Sequence, residues 1–118
     1  MKLSDHQWLF LQDIAKLINY AKSLGIKLTG GELQRTPEQQ KLYIESGKSK
    51  TSNSLHLKKL AIDINVFIKI TPTNYVLTFE KKDIQPLGDF WEGLSEHNKW
   101  GGNWKFKDCP HFQRNLIQ

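Results

Sequence analysis

The residues with chemistry to offer gather in two short stretches. The first is Ser54-Leu55-His56-Leu57-Lys58-Lys59-Leu60-Ala61-Ile62-Asp63, which sets an imidazole and a carboxylate at His-x(6)-Asp spacing. The second is Asp108-Cys109-Pro110-His111-Phe112-Gln113, where another carboxylate stands three places ahead of another imidazole. From Leu60 the chain runs Leu-Ala-Ile-Asp-Ile-Asn-Val-Phe, whose β-branched content predicts a strand. Strand side chains alternate, so Ile62, Ile64 and Val66 share one face while Ala61, Asp63 and Asn65 share the other. A carboxylate between isoleucines needs a partner to offset its desolvation, and a metal ion is one such partner. His56, Asp63 and His111 make a nitrogen–oxygen–nitrogen set, the donor chemistry of a catalytic zinc with its fourth position open to water. Asp108 is then the free carboxylate that handles the proton of that water.

Taken singly, each of these residues is more often structural or solvent-exposed than catalytic; the combination is what carries weight. Ser54-x-His56-x(6)-Asp63, Trp100-Gly101-Gly102-Asn103-Trp104 and Asp108-x-Pro110-His111-Phe112 together resemble the zinc D-alanyl-D-alanine carboxypeptidase and L-alanyl-D-glutamate endopeptidase family. The likeness is strongest to the short single-domain phage endolysins of that family. Arg35-Thr36-Pro37-Glu38-Gln39-Gln40 and Gly47-Lys48-Ser49 belong to the same resemblance, which covers roughly residues 30 to 113. One position departs from it: the family often has a glycine three residues after the first histidine, and here that place is Lys59. The resemblance implies a bound zinc and the peptide stem of peptidoglycan as substrate. It favours Arg35 as an anion contact at the mouth of the site, against a plain solvated charge. Ser54 is a contact to ligand or substrate, or simply a loop serine.

Composition bounds these readings. At 118 residues the chain is expected to form one domain, 1–118, with a real core but no appendage. A formal charge of +5 suits nucleic acid, an anionic membrane surface or an acidic wall polymer. The positive residues are dispersed among acids, with short runs only at Lys58-Lys59 and Lys81-Lys82, so a dedicated nucleic-acid module is the weaker reading. Cys109 stands alone and forms no internal disulfide. The start Met-Lys-Leu-Ser-Asp-His has no apolar stretch of signal-peptide length. The expectation is a monomer made in the host cytoplasm, without stable membrane insertion, that reaches the wall through a separate membrane lesion.

The elements that must position the site follow from periodicity. Ser4 with Gln7 fits a capping box, and Leu11, Ile14, Ala15, Ile18 and Ala21 predict a helix that Gly25 stops, with Trp8 and Phe10 in the core and His6 exposed. Ile26–Thr29 alternates as a short strand. Thr36-Pro37-Glu38-Gln39 starts a second helix that Gly47 ends, and residues 48 to 53 form a polar loop. Ser54 and His56 are expected on extended backbone, facing the same way. Phe67–Thr71 and Tyr75–Phe79 pair across a turn. A third helix is expected within Pro86–His97 with Asp89 as its cap, and His97 at its polar end is not a ligand. Trp100 and Trp104 either wall a cleft or pack in the core. Pro110 holds Cys109 extended, so Asp108-x-x-His111 is a loop entering a last strand. The sum is an α+β fold of the Hedgehog/DD-peptidase-like kind: a small antiparallel sheet with two or three packed helices.

Four functions compete at this stage. The leading one is a zinc peptidase of peptidoglycan acting on the L-alanyl-D-glutamate bond as a phage or prophage endolysin, with D-alanyl-D-alanine carboxypeptidase as the alternative. A non-catalytic wall-binding domain on the same scaffold has no use for Asp108, since a structural zinc prefers four protein ligands. A cysteine hydrolase needs the Cys109 thiol and an imidazole to converge. A small basic DNA-binding protein would show a salt slope on plain DNA and no metal dependence.

Overall fold

The structure is a computed structural model that describes residues 1–31 and 55–116. Arg35, Ser54, the helix expected from Thr36 and the polar loop of residues 48 to 53 lie outside the described residues.

Helix α1, Leu3–Ser23, begins earlier than its Ser4 signal suggests, with Lys2 at the cap. Its first turn is closed by the Asp5 carboxylate, which accepts from the Lys2 backbone N–H at 2.8 Å. Gln7 is thereby released from a capping role and donates to the Lys58 carbonyl at 2.9 Å. The buried stripe is His6, Phe10, Asp13, Ile14, Leu17 and Ala21, a spacing of three and four that keeps one face on the core. Two expectations fail here. Trp8 is 63% exposed and His6 only 7%, because the buried stripe, which keeps Ile14 and Ala21, is centred about a third of a turn from the side that carries Trp8, Leu11 and Ile18. Gly25 closes the helix in the left-handed region at φ 74°.

The sheet has five antiparallel strands: β1 Lys27–Gly30, β2 Ala61–Thr71, β3 Asn74–Thr78, β4 Asn98–Trp100 and β5 His111–Arg114. Its order is β1-β2-β5-β4, and β3 also pairs with β2. The long strand β2 is therefore the spine. Its first residues, Ala61 to Asp63, pair with β5, and its far half forms the expected hairpin with β3. Gly31 continues β1 past its end: its N–H donates to the Asp63 carbonyl at 2.8 Å, and a Cβ at Gly31 would stand 2.6 Å from that oxygen. Only glycine lets the backbone come this close to the carboxylate-bearing residue.

Helix α2 spans Lys81–Leu94, beginning well before the Asp89 cap read from the sequence, with Pro86 inside it. Thr78 sets the start: its hydroxyl accepts from the Glu80 N–H and donates to the Asp83 carboxylate at 2.7 Å. Asp89 is an interior residue paired with Gln85. Ile84, Leu87, Gly88 and Trp91 face inward. They close one core with Phe10, Ile14 and Leu17 of α1 and with Leu60, Ile64, Val66, Trp100, Cys109 and Phe112 from the sheet side. Among the described residues, two helices and a small antiparallel sheet make the α+β architecture expected. Among the described residues no helix is long and apolar enough to cross a membrane.

Candidate active site

Strands β2 and β5 lie antiparallel in a register that sets Asp63 directly opposite His111. Cross-strand partners have Cβ atoms roughly 5 Å apart, so two side chains distant in sequence meet on one face of the sheet. His111 Nδ1 lies 3.2 Å from Asp63 Oδ1 and 3.9 Å from Asp108 Oδ2. One donor atom from each of Asp63, Asp108 and His111 falls within 4.8 Å of the others. The imidazole side chain is 9% exposed, Asp63 30% and Asp108 51%. The cluster thus runs from a buried nitrogen to a solvated carboxylate.

Asp108 reaches this point because the loop before β5 folds back on the turn Gly101–Asn103. Its N–H donates to the Gly101 carbonyl at 2.9 Å, and its own carbonyl accepts from His111 N at 3.1 Å. A Cβ at Gly101 would meet the Asp108 carbonyl oxygen at 2.3 Å. Glu92 of α2 fixes the same turn by accepting from Trp100 N–H and from the Asn103 side chain.

Burial pulls the His111 pKa down, but hydrogen bonds to Asp63 and Gln113 and the charges of Asp63 and Asp108 outweigh it, leaving the pKa raised from 6.5. Two carboxylates around one imidazole make a site that attracts a cation, whether a proton or a metal ion. Two carboxylate oxygens and one imidazole nitrogen are donors of the kind that hold a divalent ion.

The two tryptophans divide between the readings left open. Trp100 is fully buried and donates through Nε1 to the Cys109 carbonyl. Trp104 is 38% exposed, and its ring leans on His111 with centroids 5.1 Å apart. It walls the site. Cys109 faces the core instead, and burial followed by the neighbouring Asp108 charge pushes its thiol pKa up. A protonated core thiol is a poor nucleophile, which removes the basis of the cysteine-hydrolase reading.

His56 lies in the 3-10 turn Leu55–Lys58 and not on extended backbone as expected, and only its backbone is described. The turn ends by a Schellman-type closure: Leu60 N–H donates to the Leu55 carbonyl, and Lys59 adopts φ 58°. Lys59 therefore occupies the left-handed position that a glycine fills without strain. His97 sits away from the cluster, with Nδ1 at the Asn115 carbonyl. Sequence reasoning passed over Gln113, whose Oε1 lies 2.7 Å from His111 Nε2. Its position two places along the strand from His111, on the same face, was the available signal.

The model of the D-alanyl-D-alanine carboxypeptidase family matches residues 47–114, which hold His56, Asp63, Asp108 and His111. The chain belongs to that family of peptidases. It is 34% identical over 101 residues to the L-alanyl-D-glutamate peptidase of Listeria phage A118, a match covering 85% of this chain and 34% of the relative. The chain thus spans about a third of that relative's length. The fold is shared with the L-Ala D-Glu endopeptidase ChiX of Serratia marcescens, at a TM-score of 0.72 and 24% identity, over 91% of this chain and 78% of the other.

Proposed function

We propose that this chain is a single zinc-dependent catalytic domain that hydrolyses the L-alanyl-D-glutamate bond of peptidoglycan stem peptides, in the manner of a phage endolysin. The observation that carries the reading is the convergence of Asp63, Asp108 and His111 within 4.8 Å inside the span matched by the family. His56, Asp63 and His111 would hold the zinc, which when bound polarises a carbonyl oxygen and makes water a nucleophile near neutral pH. Asp108, half exposed at the edge of the cluster, takes the proton of the attacking water and returns it to the leaving amine. Trp104 flanks the place where the peptide lies and keeps water off that side. Arg35 would clamp a substrate carboxylate or balance developing negative charge, and Ser54 would contact the substrate. The protein would act as a monomer, without nucleic acid, made in the host cytoplasm and released to the wall. Its net charge of +5 would hold it loosely near anionic wall polymers.

Mass spectrometry of purified muropeptides, with and without a chelator, tests this. The expected products are stem peptides beginning at D-Glu, with L-Ala left on the muramic acid, and none after chelation. The family's own description favours a second reading, D-alanyl-D-alanine carboxypeptidase. Release of free D-Ala alone would replace the endopeptidase assignment with that one and leave the metal chemistry standing.

A further inference from the structure

We propose that Gln113 is a positioning residue that locks His111 into the tautomer able to bind a metal through Nδ1. The inference rests on the reading of Asp63, Asp108 and His111 as part of a zinc site. Its evidence is the direction of a chain of hydrogen bonds along β5 and just beyond it. Gln113 Nε2 donates to Asn115 Oδ1 at 2.6 Å, and a carboxamide oxygen only accepts. In the structure the same amide presents Oε1 to His111, 2.7 Å from Nε2. That bond needs a hydrogen on Nε2. In the neutral ring that a metal binds, the lone pair then belongs to Nδ1, the nitrogen 3.2 Å from Asp63 Oδ1 and 3.9 Å from Asp108 Oδ2; without a metal a proton takes that place and hydrogen-bonds to Asp63. A lone pair aimed at two carboxylates is an arrangement of like poles, and a cation among them turns each contact favourable.

A strand glutamine bonded to a strand neighbour is ordinarily just a satisfied polar group. Here the bond falls on the rear nitrogen of the most buried member of the cluster, and Trp104 closes one side of the same ring. The amide and the indole both contact that imidazole. Backbone pairing holds the amide in turn: residue 113 lies opposite both Ala61 and Lys99, and its carbonyl accepts from Trp91 Nε1.

The test measures zinc affinity by competition with a chromophoric chelator, together with histidine ¹⁵N NMR on the zinc-loaded protein. Gln113→Met keeps the volume and removes the acceptor; zinc should bind about 10- to 100-fold more weakly. Gln113→Glu restores an acceptor and should bind zinc at least as tightly as the wild type. Asn115→Ala, which frees the amide to rotate, should weaken zinc in the same direction by less. The ¹⁵N spectrum of the wild type should show the proton on His111 Nε2 and the metal on Nδ1. Unchanged zinc affinity in folded Gln113→Met, weaker binding by Gln113→Glu, or a proton on Nδ1 would overturn the role of Gln113 alone. A wild-type protein that binds no zinc would overturn the metal site itself, and this role with it.

Discussion

Asp63 and Asp108 carry the same functional group in different mechanical settings. Asp63 is on a strand locked by pairing on both edges, at 3.2 Å from His111, whereas Asp108 is on a loop, half in solvent. A fixed carboxylate suits a ligand and an accessible one suits proton traffic. Asp63→Ala should lose both metal and activity. Asp108→Asn should keep fold and zinc while turnover falls by roughly two orders of magnitude or more, as read by metal analysis beside a muropeptide assay. If Asp108→Asn sheds metal as readily as Asp63→Ala, the two roles exchange. Cys109→Ser, in the core, should retain most activity. His111 sets the pH response. Its pKa is raised in the fold, so in metal-free protein its stabilising contribution is complete below 6.5 and is lost as pH rises through the raised value. Zinc competes for that same protonated site, so zinc affinity should weaken steadily as pH falls through this region in titrations at fixed ionic strength. The meeting of Asp63, Asp108 and His111 was legible because the motif places them in two contiguous stretches. Gln113 was not, because a hydrogen bond's direction depends on where Asn115 ends up.

At the level of elements, two turns aim the site, and both depend on backbone allowances. Lys59 holds a left-handed conformation next to the His56 turn, at about 1–2 kcal/mol for a residue with a Cβ. Lys59→Gly should therefore raise stability, by about 0.5–1 kcal/mol after glycine's entropy in the unfolded chain is counted, and chemical denaturation reads it directly. At Gly101 the opposite holds. Gly101→Ala forces apart the turn and the Asp108 carbonyl, costing roughly 1–3 kcal/mol and lowering activity together with stability. Strands β1, β2, β3 and β5 and the first helix were legible from alternation and periodicity, whereas β4, three residues long and read as the polar end of a helix, was not. Helix α2 was misplaced because Asp89 reads as a cap, while the true start, set by Thr78 and Asp83, carries no strong apolar signal. The stripe of α1 was likewise misphased, since Trp8 outweighs its neighbours in hydrophobicity yet stays exposed. Periodicity fixes spacing well and phase poorly when large apolar residues occupy two faces.

Across the whole molecule, the first helix and the last strand are joined by a buried basic contact. Arg114 Nε donates to His6 Nδ1 at 3.1 Å, Arg114 Nη1 reaches Ser95, and the His6 and His97 rings meet edge to face. Burial lowers the His6 pKa first, and the charges of Arg114, His97 and the N-terminus add to it against Asp5. A lowered histidine contributes stability that is present above 6.5 and lost as pH falls toward the folded value. His6→Asn, which keeps an acceptor for Arg114 and cannot titrate, should flatten the acid side of the stability profile. A wild-type slope in that variant would locate the acid sensitivity elsewhere. This contact was invisible in sequence because His6 and Arg114 stand 108 residues apart.

The pairing of Asp63 with His111 closes a span of 48 residues, and the unfolded chain has no reason to hold the two together. Any ion that prefers the closed arrangement consequently adds its binding free energy to folding, about 2.7 kcal/mol when free metal exceeds the dissociation constant 100-fold. The melting temperature of this protein should then be a function of metal concentration, climbing with the logarithm of added zinc and falling back with chelator. On that account the surrounding fluid would set the working lifetime of this domain: where zinc is scarce it would unfold sooner, and where zinc is plentiful it would persist.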